Sequence, residues 1–340
     1  MAPIERANGH RPAGLLHLLD PSLRLAPHPR QEEVSFNLDQ ALSSVLRLEA
    51  TVPTEAFSAG TLGTERQGNA VVISNDGLVV TIGYLVMDAD SVTLIGPGGV
   101  QSPAAVVGYH FESGLALVRA ANDLDLDPLP IGDSADIEER DSVIIAPYGG
   151  VNHAIAGMVV SRREFAGSWE YLIDDAIFTA PIHPNWSGAG LIDAEGRLVG
   201  IGSLWVNDAQ AGRRDSPGNM FVPIDLLKPI FDDLLTNGRA STEPRAWLGM
   251  YAAEAMGRLF VSGTIPDGPA DLAGIEAGDL IVAVAGQPVS TLADMYRRIW
   301  SQGGAGTPIL LNLRRDGDPI DVTVESASRY DFTRIFHSRH

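Results

Sequence analysis

Short apolar runs separated by turn sequences fill the chain from residue 68 to about residue 206. The runs include NAVVIS, SVTLIG, SVIIAPYG and RLVGIGSLWV, and the turns include NDG and GPGG. Runs of this length that are rich in Val and Ile and are bounded by Gly, Asn and Asp are typical of strands. Many such strands at short spacing indicate a barrel or a sandwich. We therefore predict a β-rich domain in this region.

Helical periodicity marks the end of this domain, and a second unit follows it. The segment IDLLKPIFDDLLTNG has apolar residues at helical spacing and ends at Gly238, a residue that suits a helix C-cap. The second unit combines short strand patterns with one amphipathic helix, TLADMYRRIW. The predicted organisation is a mobile arm at 1–36, a first domain at 37–236, a linker at 237–245, a second domain at 246–326 and a polar tail at 327–340.

Composition narrows the classes of function. The 340 residues include 43 acidic and 24 basic side chains, and the net charge of −19 opposes binding to nucleic acid or to anionic lipid. The chain has no cysteine, which excludes a thiolate nucleophile and a Cys-ligated metal. No apolar run is long enough to span a bilayer, and the acidic clusters lack the order of a calcium loop. We expect no cofactor, no metal and no membrane anchor.

Three stretches of the second unit occur in the order found in PDZ domains of the bacterial HtrA type. They are WLGM at 247–250, IPDGPADLAGIEAGDLIVAVAGQPV at 265–289 and RRDGDPIDVTV at 314–324. The unit therefore resembles a PDZ domain, which implies a small α+β fold that binds the C-terminus of a peptide. We expect a nest of backbone N–H groups for the peptide carboxylate at Leu248, Gly249 and Met250, with the peptide added as a strand beside the chain that follows.

One face of the helix TLADMYRRIW is the predicted socket for the last side chain of that peptide. The socket residues would be Leu292, Met295 and Ile299. The alternative is that Met295 and Ile299 only fill the core of the domain. The sequence leaves both interpretations open.

Three stretches of the first domain, at 68–86, 108–118 and 183–203, are similar to the trypsin-like double β-barrel that precedes the PDZ domain in HtrA proteases. The resemblance implies a Ser–His–Asp triad. Aligned residue by residue, the family His falls on Tyr84, the family Asp falls on Gly114 and the nucleophile falls on Ser187. The predicted fold class is mainly β, with a trypsin-like double β-barrel followed by a small α+β PDZ domain.

The two replacements remove the groups that activate the serine. A serine hydroxyl attacks a peptide carbonyl only when a neighbouring base takes its proton. Tyr84 has an ordinary pKa of about 10 and stays protonated at neutral pH, and Gly114 has no carboxylate to orient a base. Asn185 stands where the family has an oxyanion-hole glycine, so the predicted oxyanion hole is also incomplete.

Three histidines in or near the matching stretches offer alternatives. His110, His153 and His183 are each a candidate base for Ser187, and together they are a candidate metal site. No metal-binding spacing accompanies them, so we expect solvated or structural histidines.

These observations predict a catalytically degenerate HtrA-like pseudoprotease that binds polypeptides or C-terminal peptides in a chaperone-like, adaptor or regulatory role. The alternative is an HtrA-type serine endopeptidase acting on unfolded proteins. The resemblance also implies a homotrimer assembled through aromatic residues before the barrel, for which Phe36 is the candidate. The chain as written lacks signal-peptide features, so we expect a cytoplasmic protein, or a periplasmic one if the start site is misannotated.

Overall fold

The computed structural model describes residues 27–213 and 215–333, which divide into two compact units. The described part of the first unit runs to Arg163 and continues over Asp175–Ser241. The second unit comprises Glu164–Asp174 and Thr242–Phe332. The short segment 164–174 therefore belongs to the second unit although it lies within the sequence of the predicted first domain.

Six antiparallel strands form the first barrel. They are β1 (Val45–Thr51), β2 (Glu65–Val72), β3 (Leu78–Ile82), β4 (Ser91–Ile95), β5 (Gln101–Tyr109) and β6 (Leu115–Ala120). The barrel closes in the order β1-β2-β3-β6-β5-β4. Every residue of β3 is buried, which agrees with four apolar residues among the five of its sequence LVVTI.

A second closed barrel follows in the sequence. Its strands are β7 (Ser142–Ala146), β8 (Ile155–Gly167), β9 (Tyr171–Ala180), β10 (Gly190–Ile192), β11 (Leu198–Val206) and β12 (Gly218–Pro223), in the order β10-β11-β12-β9-β8-β7. Its core is an apolar cluster that includes Ile145, Val159, Ile177, Leu191 and Phe221.

Within the described residues, three short α-helices accompany the barrels, namely α1 (Leu38–Ser43), α2 (Ala59–Leu62) and α3 (Phe231–Asn237). Asn37 caps α1 by accepting a hydrogen bond from the N–H of Gln40. Gly238 ends α3 in the left-handed conformation, as the sequence predicts for a C-cap at this position.

The second unit is an antiparallel sheet with two helices. The strands are β13 (Met250–Ala255), β14 (Arg258–Thr264), β15 (Leu280–Val284), β16 (Gln287–Pro288), β17 (Pro308–Arg315) and β18 (Asp318–Glu325), and the helices are α4 (Pro269–Leu272) and α5 (Leu292–Gln302). The sheet order is β13-β14-β15-β17-β18, with β16 beside β15, so β13 lies at an edge. The predicted mainly β architecture, with a double barrel and a small α+β unit, is confirmed.

Residues 27–36 differ from the mobile arm that the sequence predicts, because they are held by hydrogen bonds. The ring of His28 bonds through Nδ1 to the carbonyl of Ala154 (2.8 Å), and the N–H of Ala156 donates to the carbonyl of Pro27 (2.7 Å). The ring of Phe36 covers Gly196 closely enough that a Cβ there would lie 2.5 Å from a ring carbon. Residues 1–26 of the predicted arm lie outside the described residues.

The first residues of the predicted polar tail pack on the second unit. Trp247 and Ala327 exchange backbone hydrogen bonds of 3.1 and 3.0 Å, and the rings of Trp247 and Phe332 lie 4.8 Å apart. Aromatic burial explains why the ordered chain continues beyond the predicted boundary.

Among the helices in the described part of the chain, none is long and apolar enough to cross a membrane.

We expect Gly188→Ala to destabilise the first unit much more than Gly98→Ala. Both glycines have nearly the same left-handed φ, +73° and +71°. A Cβ at Gly188 would lie 2.0 Å from the backbone oxygen of Asn69, whereas a Cβ at Gly98 meets nothing within 4 Å. Gly98→Ala should lower the free energy of unfolding by about 1 kcal/mol, for the backbone conformation alone. Gly188→Ala should lower it by more than about 3 kcal/mol. Urea unfolding of the two variants measures the difference, and equal losses would contradict it.

Candidate functional site

Ser187 lies between β9 and β10, in a segment that Asn69 of β2 holds in place. The backbone N–H and the Nδ2 of Asn69 each donate to the carbonyl of Ser187, both at 2.8 Å. The same Nδ2 also donates to the carbonyl of Asn185 (3.0 Å), and Asn69 Oδ1 accepts from the N–H of Tyr148 (2.9 Å). Asn69 is thus a positioning residue that sequence reasoning missed, since its partners are more than 75 residues away.

The phenol of Tyr84 is in direct contact with the hydroxyl of Ser187. The two oxygens lie 2.7 Å apart, and the Tyr84 hydroxyl also donates to the carbonyl of Ser203 at 2.7 Å. A phenol has one proton, and a carbonyl can only accept. The proton of Tyr84 therefore points to Ser203, and Ser187 is the donor in its bond with Tyr84.

Tyr84 is thus an acceptor of a hydrogen bond but not a base. Burial raises the pKa of the phenol well above its ordinary value of about 10, an effect that exceeds the opposite influence of the bond to Ser187. A neutral phenol has no basic lone pair that can take the serine proton at neutral pH. The structure therefore brings Tyr84 and Ser187 together but gives the serine no general base at this position.

Arg66 fixes the backbone of Tyr84. Its guanidinium donates to the carbonyls of Tyr84 (2.8 Å) and Met87 (2.7 Å) and to the hydroxyl of Ser58 (2.7 Å). Burial lowers the pKa of Arg66 to about 10, against the opposing field of Asp88. The side chain remains charged at neutral pH, so these bonds persist.

Gly114 lies beside the residue that precedes Tyr84. Its carbonyl accepts from the N–H of Gly83 (2.6 Å), and its own φ is +74°. The structure thus places the two aligned positions next to each other through the backbone. Because Gly114 has no side chain, it contributes no charge to the site.

The N–H of Asn185 is already used within the chain. It donates to Nδ1 of His183 (3.0 Å), and the other ring nitrogen of His183 bonds to the carbonyl of His153 (2.9 Å). Since Nδ1 accepts, Nε2 carries the proton and donates, and this imidazole is neutral with both nitrogens engaged. The N–H at the position aligned with the oxyanion-hole glycine is therefore bonded within the chain in this structure.

His110 has local partners. Its Nδ1 is 2.9 Å from the hydroxyl of Ser113, and its Nε2 is 3.0 Å from a carboxylate oxygen of Glu112. Within residues 27–213 and 215–333, no three His, Asp or Glu side chains form a group that could hold a metal ion. The three histidines are therefore not brought together as metal ligands.

Trp186, next to Ser187, packs on another tryptophan. It is 6% exposed, and its ring centroid lies 6.0 Å from that of Trp205 in an edge-on arrangement. Ser187 itself is 8% exposed.

The predicted anion nest of the second unit contains a carboxylate from the same unit. The N–H groups of Leu248 (2.9 Å), Gly249 (2.8 Å) and Met250 (3.1 Å) all donate to the side chain of Glu170. Three converging amides are a good match for one carboxylate. Sequence reasoning missed Glu170, which lies in GSWEY at 167–171, because nearly 80 residues separate it from the nest.

The side chains predicted to form the socket are core residues in this structure. Leu292 is 7% exposed, and Met295 and Ile299 are fully buried. All three pack in one cluster with Leu248 and with Leu172 from the segment 164–174. Tyr296, which was not among the predicted residues, is also fully buried on α5.

The carboxyl group of Glu170 should titrate near neutral pH. Burial raises its pKa to about 7, while the amides of the nest and the charge of Arg329 act in the opposite direction. We expect the ¹³C shift of this carboxyl to titrate with a midpoint near 7, with assignment by its loss in Glu170→Gln. A midpoint close to the ordinary value of about 4.3 would show that the group is solvated.

Comparison with known proteins identifies both units. Residues 68–201 match the family model of the trypsin-like peptidase domain, and residues 260–315 match that of the PDZ domain. The first match contains Tyr84, Gly114 and Ser187, and the second contains most of the sheet and α5.

Curated relatives carry the name "Probable periplasmic serine endoprotease DegP-like". The protein from Halomonas elongata is 28% identical over 271 residues, which cover 76% of this chain and 55% of the relative. The protein from Brucella suis biovar 1 is 29% identical over 276 residues, with 76% and 52% covered. The chain spans about half the length of these relatives.

Solved structures share the fold. The HtrA-type protease AlgW with decapeptide superimposes with a TM-score of 0.52 at 21% identity, covering 86% of this chain and 99% of AlgW. The complex with tripeptide gives a TM-score of 0.50 at 22% identity, with 86% and 96% covered. The chain is therefore HtrA- and DegP-like, with a peptidase domain of trypsin fold followed by a PDZ domain.

Proposed function

We propose that this chain is a catalytically degenerate HtrA-like protein that acts by binding polypeptides or their C-termini, in a chaperone-like, adaptor or regulatory role. The hydrogen bond from Ser187 to Tyr84 supports this most directly. A serine that donates to a neutral phenol has no route for its proton during attack on a carbonyl. The commitment of the Asn185 N–H to His183 adds to the case.

The nest of the second unit supports peptide binding as the remaining activity. Its amides already bind a carboxylate, so the geometry for an anionic group is in place. The edge strand β13 begins at the nest and offers backbone groups to an added strand. The names of the AlgW structures include bound peptides, which fits a peptide ligand for this chain.

The second candidate is a serine endopeptidase for unfolded proteins. It is favoured by the retained Ser187 and by the curated relatives, which are named serine endoproteases. Under this hypothesis, Tyr84 and the His183 ring would have to move before Ser187 could react.

We expect no proteolysis that depends on Ser187. Loss of triad members lowers rates by about 10⁴- to 10⁶-fold, so unfolded casein should stay intact in a gel assay, with Ser187→Ala giving the same result. A fluorophosphonate probe should leave Ser187 unlabelled for the same reason. Stoichiometric labelling that disappears in Ser187→Ala would support the endopeptidase instead.

We expect peptide binding to require a free C-terminal carboxylate. A charge-assisted hydrogen bond contributes about 1.5–3 kcal/mol, so amidation of a peptide with an apolar last residue should weaken binding about tenfold or more. Fluorescence anisotropy with free and amidated forms of the same peptide measures this ratio. Equal affinities would contradict the carboxylate nest as the binding site.

Met295→Asp is unsuitable as a test of peptide binding, because Met295 is fully buried and the variant would report on folding.

A further inference from the structure

The segment 164–174 lies within the second unit in the manner of a bound peptide. The carbonyl of Ser168 accepts a hydrogen bond from the N–H of Ala252 on the edge strand β13 (2.9 Å). Two residues later, the carboxylate of Glu170 fills the nest at the start of this strand. A backbone bond to the edge strand and a carboxylate in the nest are the two contacts expected of a C-terminal peptide.

The proposed peptide groove has β13 on one side and helix α5 on the other. Helix α5 also contacts this segment. The hydroxyl of Tyr296 on α5 donates to the carbonyl of Gly167 (2.7 Å) and accepts from the N–H of Glu170 (3.2 Å). Leu172 joins the apolar core of the unit, and Arg297 of α5 forms ion pairs with both Glu164 and Asp174. The segment is therefore bound from both sides, by β13 and by α5.

The conformation of Glu170 allows an internal residue to take the place of a chain end. Its φ is +58°, in the left-handed region that few residues other than glycine adopt. The chain turns there, so that the side chain enters the nest while the backbone continues into β9 at Tyr171. The bonds to the nest compensate for this unfavourable conformation.

We propose that Ser168–Glu170 is a built-in ligand of the peptide groove, so that a C-terminal peptide binds only by displacing it. This proposal rests on the peptide-binding function proposed above. The apparent dissociation constant is the intrinsic one divided by the fraction of molecules with a free groove. A tenfold preference for the docked segment therefore weakens peptide binding about tenfold.

The test is a binding experiment with the full chain and a probe designed from the segment itself. The probe is fluorescein-labelled AGSWV with a free carboxylate, which copies residues 166–169 and ends in Val at the position of Glu170. We expect Glu170→Ala to bind this probe at least tenfold more tightly than the unmodified chain, with Glu170→Gln in between. For the amidated probe, the increase in affinity from the unmodified chain to Glu170→Ala should be only a small part of the increase seen with the free carboxylate.

Glu325→Gln is the matched control, since it removes one carboxylate from an exposed position on β18 of the same unit. It should bind the probe as the unmodified chain does. Equal affinity of the unmodified chain and the Glu170 variants would overturn the built-in ligand while leaving the peptide groove intact. If no folded variant binds the probe, the peptide groove itself is wrong, and the proposal fails with it.

Amide hydrogen exchange at Leu248, Gly249 and Met250 is a second test, which reports the occupancy of the nest directly. In the unmodified chain these amides should be protected, and in Glu170→Ala they should exchange faster and regain protection with the probe. If both Glu170 variants instead lose folded structure by near-UV circular dichroism, the segment is a fixed part of the domain and the proposal is wrong.

Discussion

Buried hydrogen-bonding groups are costly to leave unpaired, and in this chain the Ser187 hydroxyl, the Asn185 N–H and the amides of the nest are paired with the chain's own atoms. An unpaired buried donor or acceptor costs about 1–3 kcal/mol, which is a large part of the stability of a domain. At the barrel site, the Asn185 N–H donates a hydrogen bond to the His183 ring, and the Ser187 hydroxyl donates one to the Tyr84 phenol. At the nest, three backbone amides donate hydrogen bonds to the carboxylate of Glu170. The groups that a substrate or a peptide would need are the groups that the fold already uses.

Several separate features of the barrel site bear on the proposed loss of catalysis. Restoring an imidazole at Tyr84 would supply a base, but Gly114 would offer no carboxylate to orient it, and the carbonyl of Gly114 would still accept from the N–H of Gly83. Because Gly114 has a left-handed φ, replacing it with a residue that has a side chain would also destabilise the fold. The Asn185 N–H would remain bonded to His183. These separate changes support the proposed loss of catalysis better than any one of them alone.

The sequence predicted the parts of the molecule that depend on local pattern. Apolar runs and turn residues predicted a β-rich first domain. The resemblance to HtrA proteases implied the double barrel and the α+β fold of the second unit, and its aligned stretches implied that Tyr84 lies next to Ser187. The missed contacts are long-range. Asn69 binds residues almost 120 positions later, and Glu170 reaches amides 78–80 positions later. Nothing in GSWEY distinguishes a buried carboxylate from an exposed one, because burial there is decided by the partner surface.

A tethered segment needs little affinity of its own to occupy the groove. A short tether gives an effective concentration of about 1 mM, so a segment with an intrinsic dissociation constant of roughly 0.1 mM would be docked about 90% of the time. Several modest contacts, such as the bonds from Ala252 and Tyr296, are sufficient for that affinity. The same arithmetic leaves the groove open to a free peptide that binds in the micromolar range, since such a ligand loses only about tenfold. The segment would therefore weaken the binding of every competing peptide by the same factor, so that only peptides of high intrinsic affinity would occupy the groove at low concentration.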